Sequence, residues 1–250
     1  SNVGEIENKG IELSVGLQLV DTKDWNVRLN ASYNTNHNKV LSIGNAVPFA
    51  IGGFSSRTVQ TVVAEGQPVG FIRGYKAVLN SDNSLKEILP LQNLGSTLPT
   101  VYGNFSLSAS YKNLSLMING DYQYGAYVHS FDRQFRFSKG LKDSAIPEKA
   151  LEGLDQGANW LNFTNFFVEK SDFVKIRNIG ISYDYKPEKY LKNINFGFNV
   201  YNPFAFTASS VDPEAALAGA RSQGAVAVGG LNYSSYSTPR QYVGSIRISF

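Results

Sequence analysis

The chain has 250 residues, no cysteine and a formal net charge of +3 at pH 7. The absence of cysteine excludes disulfides and thiolate metal sites, and so small a charge, spread along the chain, argues against nucleic-acid binding. No apolar run approaches the roughly 18 residues of a transmembrane helix, and the length suits one large domain.

The first predicted elements are two long strands joined by a tight polar turn. In residues 11–19 and 25–34 apolar side chains alternate with polar ones, and residues 21–24 between them are polar. Strict alternation is typical of a strand with one apolar and one polar face. The sequence therefore predicts a hairpin, with Arg28 on its polar face.

The same alternation returns in five later stretches, which brings the number of predicted strands to seven. These stretches are 101–111, 114–124, 172–185, 194–200 and 240–250. The apolar parity changes within 172–185, which predicts a β-bulge near Arg177 and Asn178. In the last stretch Arg247 falls on the polar parity.

The connections between the strands alternate in length. The short ones are 21–24, 112–113 and 186–192, and the long ones are 40–100, 126–171 and 205–239. The long connections are predicted to be irregular, apart from a short apolar piece at 69–79 and a short helix near 147–154. Transmembrane β-barrels have short periplasmic turns and long extracellular loops, whereas soluble sandwiches usually have short connections throughout. The long connections are therefore predicted to be extracellular.

The composition of the two strand faces supports the same interpretation. Phe, Tyr, Ile and Leu on one parity and Asn, Ser and Gln on the other fit lipid outside and water inside. Aromatic residues near strand ends suit interfacial girdles; they are Trp25, Tyr33, Tyr111, Tyr122, Tyr124, Tyr183, Tyr185 and Tyr242. The predicted fold is all-β: a transmembrane antiparallel up-and-down β-barrel.

Seven is an unsuitable number of strands for a closed barrel. The first and last strands would run in the same direction and could not pair antiparallel, and open edges in lipid leave backbone groups unpaired. Treating 69–79 as a spanning strand would scatter the long connections over both sides. We therefore expect residues 1–250 to form the C-terminal part of a larger barrel.

Several short motifs, in order and at the right spacing, resemble the SusC/RagA family of TonB-dependent outer-membrane transporters. They are Asn8-Lys9-Gly10-Ile11-Glu12, Asn30-Ala31-Ser32-Tyr33-Asn34, Gly66-Gln67-Pro68-Val69-Gly70, Gly95-Ser96, 168–179, Asp212-Pro213-Glu214 and Pro239-Arg240 before a strand that ends in Phe250. Two features depart from the family pattern: Val174-Lys175 stands where the family has Leu-Arg, and 40–68 matches nothing.

The resemblance implies a barrel of about 22 strands with an N-terminal plug domain, which would precede Ser1. It implies import of oligosaccharides or peptides across a Gram-negative outer membrane, with energy from TonB and a SusD-like surface lipoprotein as a lid. It also implies that the last strand is an assembly signal, carried by Tyr242, Ile246, Ile248 and Phe250. Two alternatives remain open: a structural or adhesive outer-membrane protein, and a soluble β-rich binding module.

The sequence predicts no catalytic or metal site and no cofactor. His37 and His129 are expected to be solvent-exposed, and Glu65, Asp82, Asp132, Asp155 and Asp212 lack the spacing of a calcium loop. The Gly-rich stretch 219–230 lacks the Lys-Ser/Thr of a phosphate loop.

The candidate ligand contacts are aromatic residues of the long connections. Trp160, Tyr127, Tyr233 and Tyr236 could stack on sugars or peptides, although packing within the loops explains them equally well. For Arg28 and Arg247, solvation or pairing with plug acids is favoured over contact with a ligand.

Overall fold

The computed structural model describes residues 4–53, 59–187, 191–214, 230–233 and 236–250. The turn 186–192 and the Gly-rich stretch 219–230 therefore lie partly outside the described residues. The strands are β1 Glu5–Lys9, β2 Glu12–Asp21, β3 Trp25–Thr35, β4 His37–Ser42, β5 Phe49–Gly53, β6 Val59–Val63, β7 Phe71–Leu79, β8 Leu85–Ser96, β9 Val101–Tyr111, β10 Leu114–Tyr124, β11 Tyr127–Ser130, β12 Val168–Lys170, β13 Phe173–Tyr185, β14 Asn193–Thr207, β15 Leu231–Asn232 and β16 Gln241–Ser249. The α-helices are α1 Phe131–Ser138 and α2 Gln156–Asn159, and the 3-10 helices are Glu148–Leu151 and Trp160–Phe167.

The seven predicted strands form one sheet in the order β16-β14-β13-β10-β9-β3-β2. When these seven strands are taken in chain order, each one pairs antiparallel with the strand before it and the strand after it. This confirms the prediction of an antiparallel up-and-down arrangement. In the described part of the chain, β2 and β16 are the two edges, and closure of the sheet remains a prediction.

Two short turns join the strands at one end of the sheet. At the first, the Thr22 amide donates to the Trp25 carbonyl at 2.8 Å. At the second, Tyr111 pairs directly with Leu114, and Lys112 takes the left-handed conformation with φ 51°. Two-residue hairpin loops favour positive φ because their twist then matches that of the strands.

The predicted bulge in β13 is confirmed at Arg177. Asn178 pairs with Asn119 and Ile176 pairs with Gly120, so Arg177 is the extra residue on this strand. Because of this extra residue, Val174 and Ile176 lie on the same apolar face as Ile179. The bulge also lets Arg177 reach Asp121 of β10.

The two faces of the sheet differ as the alternation predicts. Large apolar side chains of one face remain exposed, including Leu13, Val15, Leu17, Ile181, Tyr183, Phe196, Phe198, Tyr242, Ile246 and Ile248. On the other face Arg28 Nε donates to Gln18 Oε1 at 3.1 Å, and Asn30 Nδ2 donates to Ser106 Oγ at 3.2 Å. Monomeric soluble proteins rarely expose contiguous apolar surface on this scale, and lipid is the environment that suits it.

Aromatic residues gather near the short-turn end of the apolar face. Trp25 pairs with Tyr111, their ring centroids are 4.5 Å apart, and Lys112 Nζ lies 5.3 Å from the Tyr111 ring. Tyr183 and Tyr185 lie near the same end of β13. This arrangement is typical of an interfacial girdle, where amphipathic rings meet the headgroups.

The prediction that the long connections are irregular is wrong. Within 40–100 the chain forms a separate four-stranded antiparallel sheet, β5-β6-β7-β8. The predicted apolar piece is β7, which does not join the seven-stranded sheet. Repeated register shifts, at Ala50/Gly52, Ile72/Arg73, Gly74/Lys76 and Val78/Leu79, interrupt the two-residue period. The sequence alternation therefore does not reveal these strands.

Segments of the long connections pack together into a compact layer, here called the cap (residues 37–53, 59–96, 127–171, 208–214 and 230–233). Its largest core joins β7 to the helical segment and contains Ala77, Phe137, Ile146, Ala150, Phe163 and Phe167. Asn165 fixes this contact: its side chain accepts from the Ala77 amide at 2.9 Å and donates to the Ala77 carbonyl at 3.3 Å. The predicted helix near 147–154 is a short 3-10 helix, and α1 was not predicted.

No described helix is long and apolar enough to cross a membrane.

The sheet passes into the cap through a close crossing at Gly10. β1 pairs with β4 and extends the β2–β3 hairpin beyond the sheet. The Thr35 amide donates to the Ile11 carbonyl at 2.9 Å, and a Cβ at Gly10 would overlap the Thr35 carbonyl oxygen. Only glycine fits here, which explains its place in the opening motif.

Candidate functional site

The main charged cluster lies on the polar face of the sheet, near the end where the long connections begin. Lys175 of β13 is almost fully buried, with 5% of its side chain exposed. Its Nζ donates to Asp212 Oδ1 at 2.7 Å and to Glu214 Oε2 at 2.6 Å. A buried ammonium is stable only when its partners replace water, and both partners come from the last long connection.

Arg177 extends the cluster across to β10. Its Nε and one terminal nitrogen hold the two oxygens of Asp121 at 2.6 and 2.7 Å. The same terminal nitrogen donates to Glu214 Oε1 at 2.5 Å. Glu214 thus binds both Lys175 and Arg177. The planar guanidinium of Arg177 presents several N–H donors in a fixed geometry, which suits contact with two carboxylates at once.

The Asp212-Pro213-Glu214 motif anchors its connection to the sheet. Burial alone would raise the pKa of Asp212 and Glu214, but the hydrogen bonds from Lys175 to Asp212 and from Arg177 and Lys175 to Glu214 hold both pKa values below their ordinary range. Both groups are therefore charged at neutral pH. The Glu214 amide also donates to Asp212 Oδ1 at 3.1 Å, which fixes the local turn.

A second ion-pair cluster holds the cap together around Arg133 of α1. Arg133 binds Asp143 through two nitrogens at 3.0 and 2.5 Å, and it also contacts Glu169 of β12. Glu169 in turn accepts from the Ser210 amide at 2.5 Å. This cluster therefore joins the 127–171 and 208–214 segments of the cap.

A cavity of about 640 Å³ lies beside the Lys175 cluster on the polar face. It is lined by Asn34, Asn36, Leu98, Pro99, Tyr102, Gly103, Asn104, Asp121, Tyr122, Gln123, Phe173 and Glu214. A second cavity of about 350 Å³ shares Gln123 and Glu214 with it and reaches Tyr127 and Gly230. Their combined wall is rich in amides and aromatic rings.

The four candidate aromatic residues do not share one site. Trp160 packs at the edge of the main core and lies edge-on to Phe131 at 6.1 Å. Tyr127 packs beside the small core of β6, β7 and β15, and also lines the second cavity. Tyr233 contacts Phe131 at 5.1 Å, whereas Tyr236 is 94% exposed.

The expectation that both histidines are solvent-exposed is wrong for His129. Its side chain is fully buried, and its Nε2 hydrogen-bonds Gln134 Oε1 at 2.6 Å. Burial lowers the pKa of His129 to about 4, so the imidazole is neutral at pH 7. The exposure of His129 was predicted wrongly because this residue lies in the folded cap, whereas the sequence suggested a solvated loop.

The acidic residues considered as calcium ligands have other roles in the structure. Glu65 accepts from the Ile43 amide, Asp82 binds Lys149, and Asp155 caps α2 through the Ala158 amide. In the described ranges no three acidic or histidine side chains gather as a metal site.

The terminal strand exposes the residues predicted as an assembly signal. Tyr242, Ile246, Ile248 and Phe250 are 63%, 68%, 48% and 81% exposed, and the first three pair with Val200, Phe196 and Ile194 of β14. Arg247 pairs with Asn195 on the polar parity, as Arg28 does with Gln18 on β2.

The Lys175 cluster is the feature that sequence reasoning missed. A positive residue on the polar parity of a strand and an acidic pair in a distant loop were both visible, but no periodicity links residues 37 positions apart. The family resemblance marked Asp212-Pro213-Glu214 without saying what it binds.

Comparisons with known proteins agree with the fold. The chain is 23% and 24% identical, over its full length, to the TonB-dependent receptors P3 and P26 of Formosa agariphila. The chain spans 29% and 30% of the length of these relatives. No protein-family model matches it.

Solved structures give the same result. A RagAB peptide importer in its closed-closed state superposes with a TM-score of 0.73 at 21% identity, covering 100% of this chain and 30% of that one. The open-open state gives 0.70 at 20% identity, covering 99% and 29%. The all-β fold is thus one found in part of these importers. The resemblance to SusC/RagA-like TonB-dependent transporters is confirmed, and the named relatives are receptors and importers rather than enzymes.

We expect Asp212→Asn to release the last connection from the sheet. Breaking a buried ion pair on one side costs about 3–5 kcal/mol, and the lower end applies because Glu214 still binds Lys175. Limited proteolysis with mass spectrometry should show new cleavage within 205–239. The matched control is Asp82→Asn, which breaks an exposed 2.7 Å pair with Lys149 and should leave cleavage unchanged.

The same anchor should weaken in acid. Because the folded pKa values are lowered, the stabilisation is complete above the ordinary values of 3.8 and 4.5 and is lost as the pH falls through the lowered values. Amide hydrogen exchange of residues 208–214, corrected for intrinsic rates, should therefore accelerate below about pH 4. Protection that is the same at pH 3 and pH 6 would contradict this role for the carboxylates.

Proposed function

We propose that this chain is part of an outer-membrane active transporter that imports nutrients, oligosaccharides or peptides, with energy from TonB. The observation that carries the proposal is the seven-stranded antiparallel sheet with one exposed apolar face and one polar face. Such a sheet suits lipid on one side and an aqueous lumen on the other. The names of the relatives, TonB-dependent receptors, support the same function.

The sheet is proposed to close together with further strands of the same barrel. Its edge strands, β2 and β16, run in the same direction, since they are separated by an odd number of antiparallel neighbours. They cannot pair antiparallel with each other, and unpaired edges in lipid are costly. A barrel of about 22 strands, plugged by a domain that contacts TonB, would supply the missing partners.

The cap is proposed to lie outside the cell and to face a SusD-like surface lipoprotein. All three long connections leave the sheet from one end, and their described segments form apolar cores of their own. A folded layer above the barrel end offers a surface that a lid can contact. The short turns would then face the periplasm.

The transport proposal is tested by uptake in cells. Labelled oligosaccharides and peptides should accumulate in cells that carry the complete protein and TonB, and accumulation should stop when either is removed. A structural or adhesive protein predicts instead that surface attachment depends on the protein and is independent of TonB. Uptake that persists without TonB would contradict the proposal.

We further propose that the terminal strand acts as an assembly signal, carried by Tyr242, Ile246, Ile248 and Phe250. Phe250 is 81% exposed, so its removal sacrifices little internal packing. As an ordinary lipid-facing side chain it would contribute about 1.5–3 kcal/mol, which a large barrel tolerates. As a signal it would control how much protein is inserted.

Phe250→Ser is therefore expected to reduce the heat-modifiable, folded protein in outer-membrane fractions severely. The matched control is Ile194→Ser, on the same apolar face of the adjacent strand, which pairs with Ile248. It should cause only a mild loss. Equal, mild losses in both variants would leave Phe250 as a lipid-facing residue without a signalling role.

A further inference from the structure

The sheet has a step on its apolar face, at the end from which the long connections leave. β14 pairs with β16 only over residues 193–201, whereas in the described part of the chain residues 202–207 pair with β13 alone. The upper part of β14 therefore extends beyond the start of β16. Residues 202–207 and Arg240, which directly precedes β16, are here called the step.

The backbone at the foot of the step is satisfied by side chains rather than by a neighbouring strand. Pro203 has no N–H that could remain unpaired, and its carbonyl accepts from Arg240 at 2.5 Å. Asn202 Nδ2 donates to the Pro239 carbonyl at 3.2 Å. Open strand edges are not tolerated in hydrocarbon, so the hydrocarbon layer should end near the start of β16.

Tyr242 indicates the same level independently. It is 63% exposed on the apolar face, and its ring stacks on Phe198 with centroids 6.5 Å apart. Amphipathic tyrosine rings collect where hydrocarbon meets the lipid headgroups. Arg240 shares the parity of Tyr242 and lies two residues further out, which is about 7 Å along a strand. Arg240 is therefore at the level of the headgroups.

Arg240 presents an available cation at this level. The residue is exposed, and its Cζ lies 5.9 Å from the centroid of the Phe204 ring. Among the described residues Arg240 has no carboxylate partner, and its hydrogen bond to Pro203 uses only one nitrogen. A guanidinium carries five N–H donors in one plane. The remaining donors match the oxygens of a phosphate group.

Two phenylalanine rings lie beside this cation on the apolar face. Phe204 pairs with Ile176 and Phe206 pairs with Val174, and the two rings are 52% and 65% exposed. Phenylalanine has no polar group that could contact water or headgroups. Contact with acyl chains would remove this apolar surface from water, whereas a free phosphate ion would gain nothing from the rings.

We propose that the step binds a lipid of the outer leaflet, with Arg240 on a headgroup phosphate and Phe204 and Phe206 against its acyl chains. The proposal rests on the membrane location proposed above and adds a specific lipid site to it. Charge complementarity favours a phosphorylated headgroup, and the rings favour a lipid over free phosphate. The site is continuous with the apolar face that is proposed to contact the bilayer.

The test is lipid binding to the purified complete protein in detergent, measured by native mass spectrometry. The probes are lipid A, a glycolipid with headgroup phosphates, and its dephosphorylated form with the same acyl chains. The unmodified protein should prefer the phosphorylated form. Arg240→Gln should weaken binding of that form about tenfold, which corresponds to about 1.4 kcal/mol, and should remove the preference. Phe204→Ser should weaken binding of both forms.

The matched control is Arg247→Gln, which removes an exposed arginine from the same strand but from its polar face. It should leave the affinity and the preference unchanged, and heat-modifiability should show that all variants are folded. Inorganic phosphate should not displace the bound lipid.

Three results would overturn the proposal. They are equal binding of both lipid forms by the unmodified protein, an unchanged preference in folded Arg240→Gln, and displacement of the lipid by inorganic phosphate. The first and third need no variant, so they decide the matter even when Arg240→Gln does not fold. TonB-dependent uptake is measured separately, so failure of the lipid site is distinguishable from failure of the transport function.

Discussion

Register between paired strands is the constraint on which the structure depends. Side chains alternate between faces, so a shift of one residue would move every apolar side chain of a strand to the polar face. Each of the seven strands pairs with its neighbour so that apolar residues stay on one side, as Phe198 does opposite Ile181. Where the apolar parity shifts within β13, the bulge at Arg177 absorbs the extra residue.

The polar face carries the interactions that organise the long connections. Lys175 and Arg177 bind Asp212 and Glu214, so the last connection is fixed to the wall by charge. Arg133 links α1, Asp143 and Glu169 in the same way within the cap. The apolar cores of the cap then bury Phe137, Phe163 and Phe167 away from both lipid and water.

The sequence predicts the sheet well because its physical signal is local. Alternation along a single strand is enough to reveal the strands, the turn at Lys112 and the bulge at Arg177. The cap has no such signal, because the registers of its paired strands shift repeatedly, for example between Ala50 and Gly52 and between Ile72 and Arg73. The Lys175 anchor and the burial of His129 depend on contacts between segments that are distant in the sequence. The alternation of apolar and polar residues within one strand carries no information about such contacts.

The central claim is that one face of the sheet contacts lipid and the other contacts water. Phe198 and Asn199 are adjacent in β14 and lie on opposite faces, opposite Ile181 and Gly180. The most direct measurement is the unfolding free energy of Phe198→Arg and Asn199→Arg in lipid vesicles, made on the complete protein. Arginine on the lipid face near the midplane should cost about 2–4 kcal/mol, and arginine at Asn199 much less. Equal losses at the two positions would contradict the assignment of the faces.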